Sequence, residues 1–249
     1  MTITNFMPNG LEFVHSLLVM AGSLLAASGV ALFVLGFSKK VLLANTIGQV
    51  VDPVFAAEAP TILDAWFGVT AFAFQIYFDF SGYSDMAIGL GRLFGFELPK
   101  NFDAPYRATS FSDFWRRWHI TLSSWLRDYL YIPLGGNRRG SVRTFGNLAI
   151  TMLLGGLWHG ASWNFVVWGM YNGLLLAAYR LLKSGDLLPD RSRLATAIGY
   201  LSMPFFVAFA NVFFRAQSID SALLMLTRIT TWAPGDNAVH LAWAAGLAL

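Results

Sequence analysis

The 249-residue chain is 56% hydrophobic and only 12% charged, whereas a soluble domain carries about a quarter charged residues, which argues against a water-soluble fold. The net charge of +3 is concentrated between Arg92 and Arg143, where nine Lys/Arg accompany four Asp/Glu. That excess suits anionic headgroups or an anionic donor, and it argues against nucleic acid because the basic residues are interleaved with segments that need lipid. With no cysteine, disulfides, thiolate catalysis, cysteine metal sites and palmitoylation are excluded.

No Lys or Arg precedes the first apolar run, so the N-terminus does not have the form of a secretory signal. Leu11 to Phe37 is apolar apart from Glu12, His15 and small hydroxyl residues, is long enough to span a bilayer, and ends at Lys39-Lys40, which fit an interfacial anchor. A second apolar run, Ile62 to Phe80, carries Gln75 and Asp79 and continues through Tyr83 to Phe96 as a glycine-punctuated segment of mixed polarity. If Lys39-Lys40 and the basic stretch from Arg92 lie on one side of the membrane, a single crossing between them is not allowed, so part of this region is expected to be re-entrant or interfacial. Asp79, Ser81, Tyr83 and Asp85 form a polar island that either lines an aqueous pocket or caps a helix start.

Ser110-x-x-Asp113 is a capping-box pattern and Pro133 before Gly135-Gly136 is a stop, so one helix is expected over Ser110 to Ile132. At about 100° per residue, Phe111, Trp115, Trp118, Leu122, Trp125 and Tyr129 share a narrow stripe, with Arg116, Ser123 and Arg127 on the far side. That pattern fits a helix lying in the membrane interface or a bundle helix with an aromatic core stripe. Phe145 to Trp158 is shorter than the roughly 20 residues a span needs, which suggests a re-entrant or protein-buried helix. Trp163 to Leu182 and Leu194 to Phe214 are better spans, joined by a polar linker from Ser184 to Arg193. A second polar linker, Ala233 to Asn237, precedes the apolar run His240 to Leu249, inside which the sequence stops; that ending points to a truncated chain.

His159 lies in Gly155-Gly156-Leu157-Trp158-His159-Gly160-Ala161, with no Asp or Glu anywhere between Asp128 and Asp186. An ionisable group at membrane depth points to function. Burial disfavours the imidazolium, leaving a neutral ring that can accept a proton, and flanking glycines let a substrate approach. The alternative is a packing histidine bonded to a carbonyl. His119, in Trp115-Arg116-Arg117-Trp118-His119, is the second candidate, with a plain interfacial role as its alternative; His15 and His240 are taken as structural. Nothing in the histidine spacing suggests a metal, and there is no G-x-S-x-G elbow for a serine nucleophile. The turn from Pro133 to Gly140 sets Arg138 and Arg139 in a glycine-rich backbone, which suits cofactor phosphates or a positive-inside loop.

Six blocks occur in an order that resembles the membrane-bound O-acyltransferase family, in its alginate O-acetylating branch. They are Gly36-Phe37-Ser38-Lys39-Lys40, the run Phe78 to Ala87, Phe114 to Ile120, Tyr131 to Arg138, Gly156 to Ala161, and Val212-Phe213-Phe214-Arg215-Ala216. The resemblance covers about residues 26 to 228, with the teichoic acid D-alanyl transfer proteins more distant. It implies one partial domain over 1–249, an all-α polytopic fold with re-entrant and interfacial helices around a buried funnel, a catalytic His159, and His119 as the family's second recurrent histidine. It also implies acetyl transfer in a bacterial inner membrane toward an exported polysaccharide such as alginate, with extracytoplasmic acetyltransferase partner proteins. No cofactor is expected to be bound; acetyl-CoA is the implied donor, with Arg138 and Arg139 as candidate contacts for its phosphates. Trp158 and Trp163 are candidate pocket walls and Asn164 a candidate oxyanion donor. Family members are near twice this length, so N- and C-terminal spans are expected to be missing. The rival from another class is a non-catalytic membrane component, a transport-like conduit or an inactive remnant.

Overall fold

Long apolar runs with few helix breakers dictate helices here, because only an intrasegment ladder satisfies the backbone in lipid. The computed structural model describes residues 10–184 and 193–231, and all regular structure among them is helical. The second polar linker and the final apolar run with His240 lie outside the described residues, as do residues 185–192 of the first linker.

Helix α1 (Gly10–Ser38) does not end at Lys39-Lys40. It passes through a π-helical turn, Lys39–Ala44, into α2 (Asn45–Ala56). The two lysines are not a free anchor: Lys39 pairs with Asp85 at 2.6 Å and Lys40 with Asp79 at 2.5 Å. Both carboxylates belong to α3 (Ile62–Leu93), a helix of 32 residues that starts at a capping box in which Thr61 and Asp64 bond reciprocally. The polar island is therefore neither a pocket lining nor a helix start. It lies within α3, and its acids neutralise the two lysines of the π-helical turn.

The approach of α1 to α3 is set by glycines. Gly29 faces Gly89 and Gly36 faces Gly82, and at each crossing one backbone carbonyl occupies the place that a Cβ on the other would take. A spacing of seven residues on both helices keeps the pair on one face, and small residues permit such close packing in a bilayer.

The short run at Phe145 lengthens into α6 (Ser141–His159), 19 residues that pack against α7 (Trp163–Ser184). Helix α8 (Arg193–Arg215) and α9 (Ile219–Thr230) complete the order among the described residues. Val54, Ala65 and Val69 from the first hairpin meet Trp168, Val212 and Met225 in one buried cluster. Arg215 of the Phe-Phe-Arg-Ala block fastens α8 to α2, pairing with Asp52 at 2.6 Å and lying over the Phe55 ring. Among the described residues, three helices are long and apolar enough to cross a membrane: Glu12–Ala56, Trp163–Lys183 and Thr196–Arg215.

Candidate active site

The expected single helix over Ser110 to Ile132 is broken. Ser110 caps it as anticipated, its hydroxyl accepting from Asp113 N–H at 3.2 Å, but α4 (Phe111–Arg117) stops at an extended Trp118. His119 follows in the left-handed region at φ +43°, and α5 (Ile120–Leu126) then runs into a π-helical turn, Arg127–Tyr131. The cause is a residue that the sequence did not single out. Asn101 inserts at the break: its carbonyl accepts from Ile120 N–H at 2.9 Å, its Oδ1 accepts from Thr121 N–H at 3.2 Å, and its Nδ2 donates to Ser84 at 3.1 Å. With α5 capped from outside, the helix need not continue to satisfy those donors. The aromatic stripe divides accordingly. Phe111, Trp115, Trp118 and Leu122 turn into a cavity, whereas Trp125 and Tyr129 are 55% and 70% exposed.

His159 is the last residue of α6. Gly156 and Gly169 let α6 and α7 approach to backbone contact, which lays the His159 ring edge-on to Trp168 at 5.3 Å between centroids and to Phe214 at 5.0 Å. His119 packs on Phe80 at 5.6 Å and on Trp158 at 6.3 Å. Trp158 in turn lies 5.0 Å from the His159 ring. The two histidines, far apart in sequence, line the same cavity of about 270 Å³. Its lining contains no carboxylate, and its one Arg or Lys, Arg127, already pairs with Asp128 at 2.7 Å. Burial holds the His119 imidazole below its ordinary value of 6.5, opposed by a smaller bond to its own backbone. At neutral pH it is therefore an uncharged ring able to accept a proton.

Hydrogen-bond satisfaction distinguishes this cavity from packing voids. Seven buried side-chain atoms among the described residues have no partner, and four of them belong to residues that line it: Trp115 Nε1, His119 Nδ1, Tyr131 OH and Asn211 Nδ2. Native interiors rarely leave such groups unpaired, and here they gather on residues around one cavity.

The remaining candidates divide. Arg138 and Arg139 are exposed on the turn before α6 and do not line the cavity. Trp158 is 62% exposed and lines an open groove that His119 also lines, whereas Trp163 is 74% exposed and lines neither space. Asn164 is not an available oxyanion donor, because its Nδ2 donates to the Ala216 carbonyl at 2.7 Å and holds the α7 start to the α8 end. His15 is exposed on α1.

Residues 29–185 match the profile of MBOAT, the membrane-bound O-acyltransferase family. The chain is 50% identical over 200 residues to the probable alginate O-acetylase AlgI of Azotobacter vinelandii, covering 80% of this chain and 39% of that one. It is 43% identical over 201 residues to the peptidoglycan O-acetyltransferase of Helicobacter pylori, at 80% and 38% coverage. A teichoic acid D-alanyltransferase of Streptococcus thermophilus is 35% identical over 157 residues, at 56% and 37%. The chain thus spans about two fifths of the length of the relatives it matches.

Proposed function

The chain belongs to the membrane-bound O-acyltransferase family, and on that premise we propose that it transfers acetyl groups toward an exported polysaccharide of the alginate type, with His159 as general base. The observation that carries this is the convergence of His119 and His159 on one cavity. In the proposed step, neutral His159 takes the proton of an acceptor hydroxyl as that oxygen attacks the acetyl carbonyl of a thioester donor. The C–O bond forms, the C–S bond breaks, and the thiolate leaves with the proton from His159. General base catalysis of this kind contributes on the order of 10²- to 10⁴-fold in rate. The donor is acetyl-CoA, with Arg138 and Arg139 taking its phosphates from the exposed turn. The setting is the bacterial inner membrane, and extracytoplasmic acetyltransferases act as partner proteins. The relatives named for alginate and peptidoglycan support a polysaccharide as final acceptor.

The test is ester-linked acetate on the secreted polysaccharide, in cells that lack the resident acyltransferase and express this chain or its His159→Ala form at matched membrane levels. Acetate from the original and none from the variant is the expected result. Acetate from both removes His159 from the mechanism, and acetate from neither, with both forms stably inserted, favours the non-catalytic reading.

A further inference from the structure

A general base is ordinarily oriented by a third group that hydrogen-bonds it, but the cavity around His159 offers no carboxylate, and among the described residues no hydrogen bond reaches the ring. Packing orients it instead. Four rings surround the imidazole: Trp158 at 5.0 Å, Phe165 at 6.1 Å, Trp168 at 5.3 Å and Phe214 at 5.0 Å. Three of them move with it, because Trp158 is its neighbour in α6 and the other two belong to α7, which meets α6 backbone to backbone at Gly156 and Gly169. Phe214 alone comes from a third helix, so the clasp closes only where α8 ends in the right place.

That end is fixed at two successive residues. The Ala216 carbonyl accepts from Asn164 Nδ2 at 2.7 Å, which ties it to the start of α7. Arg215, between Phe214 and Ala216, is tied to α2: its Nη2 donates to Asp52 Oδ1 at 2.6 Å, and its guanidinium carbon lies 5.5 Å from the centroid of the Phe55 ring. Phe55 in turn packs edge-on against Phe72 of α3 at 6.1 Å. A cation in the last turn also suits the helix dipole. The Asp52 side chain is 65% exposed, and pairs this open to solvent contribute little to stability. What the pair adds is a fixed position for the residue beside Phe214.

We propose that Arg215 is a positioning residue for His159: held by Asp52, it keeps Phe214 against the imidazole and so sets the ring orientation in which the base meets its substrate. The catalytic consequence rests on the acyl-transfer reading, but the orientation is read without turnover. The full chain, carrying isotope-labelled histidine, is placed in nanodiscs and followed by NMR, with the His119 and His159 signals assigned by their loss in His119→Gln and His159→Gln. Ring currents from Phe214 and Trp168 set the His159 shift. Asp52→Asn and Arg215→Gln should each move that signal and leave the His119 signal in place, since the ring neighbours of His119 are Phe80, Phe102 and Trp158. Both variants should lower acetate transfer by about ten- to a hundredfold, the scale of a small misplacement of a reacting group. The double variant should lose no more than the worse single one, because the same contact is removed in each. Arg215→Lys keeps the charge and should recover part of both the rate and the shift. Asp52→Asn changes an exposed side chain by one atom and decides the matter should Arg215→Gln fail to fold. A His159 signal unmoved in the folded variants overturns the positioning role, as does a moved signal with undiminished acetate transfer. A moved signal in a chain whose original form makes no acetate keeps the role of Arg215 in orienting the ring and counts against the acyltransferase reading alone.

Discussion

Asn101 fastens the backbone that follows His119: its carbonyl takes the Ile120 N–H at 2.9 Å, and its Oδ1 takes the Thr121 N–H at 3.2 Å and the Thr121 hydroxyl at 3.0 Å. These are the first donors of α5, which His119 itself does not cap. Asn101→Leu removes the side-chain cap and is expected to cost about 1 kcal/mol. It should also lower acetate transfer, because the break that points His119 into the cavity is no longer enforced. Asn101→Asp keeps the acceptor and should recover most of the stability. Thermal unfolding and acetate yield measured together decide this, and a leucine variant unchanged in both would sink the link between Asn101 and His119.

The left-handed backbone of His119, at φ +43°, sets a separate constraint. Asparagine visits this region readily, whereas a β-branched residue there costs roughly 1–3 kcal/mol. His119→Asn should therefore fold like the original while lacking the imidazole, and His119→Val should melt lower. If the asparagine variant keeps full acetate transfer, the His119 ring has no part in the chemistry. If both variants melt alike, the φ value carries no cost.

Because burial lowers the pKa of His119, the folded chain binds fewer protons at this site than the unfolded chain does. The associated stability is present above the unfolded value of 6.5 and is lost as pH falls from there through the lower folded value. Melting temperature should fall as the pH drops below 6.5, and His119→Asn should flatten that slope. Identical slopes in the two chains would assign the acid sensitivity to other groups.

The helical class and the membrane spans were legible because long apolar runs leave the backbone no other solution in lipid. Both histidines were legible too, since polar residues in apolar or aromatic surroundings stand out in a linear scan. What brings them to one cavity was not. The break at Trp118 depends on Asn101, which is distant in sequence and belongs to no recognisable local pattern. The ion pairs of Lys39 and Lys40 were not legible, because their partners, Asp85 and Asp79, face them only once α1 and α3 are packed. Asn164 and Asn211 are equally polar in sequence; only the Ala216 carbonyl opposite Asn164 separates the spent donor from the free one.

The glycine crossings give the sharpest test of the packing. A Cβ at Gly36 would collide with the Gly82 carbonyl and would lie 2.7 Å from Met86 N and 2.9 Å from Met86 Cγ. The obstacles are mainly backbone, so α1 and α3 would have to separate, which also stretches the Lys39–Asp85 and Lys40–Asp79 pairs on the same face. Gly36→Leu should then cost at least the 1–3 kcal/mol of an overpacked core and lower the yield of inserted, protease-resistant protein. Gly22 is on the same helix, but a Cβ there would meet nothing within 4 Å. Gly22→Ala should stabilise α1 by about 0.5–1 kcal/mol, because alanine loses less backbone entropy than glycine. Thermal unfolding of the two variants in one detergent separates the effects of contact and propensity. A neutral Gly36→Leu would mean that the α1–α3 crossing is looser than these contacts require, and a destabilising Gly22→Ala would mean that this face of α1 is covered by something that leaves no room for a methyl group.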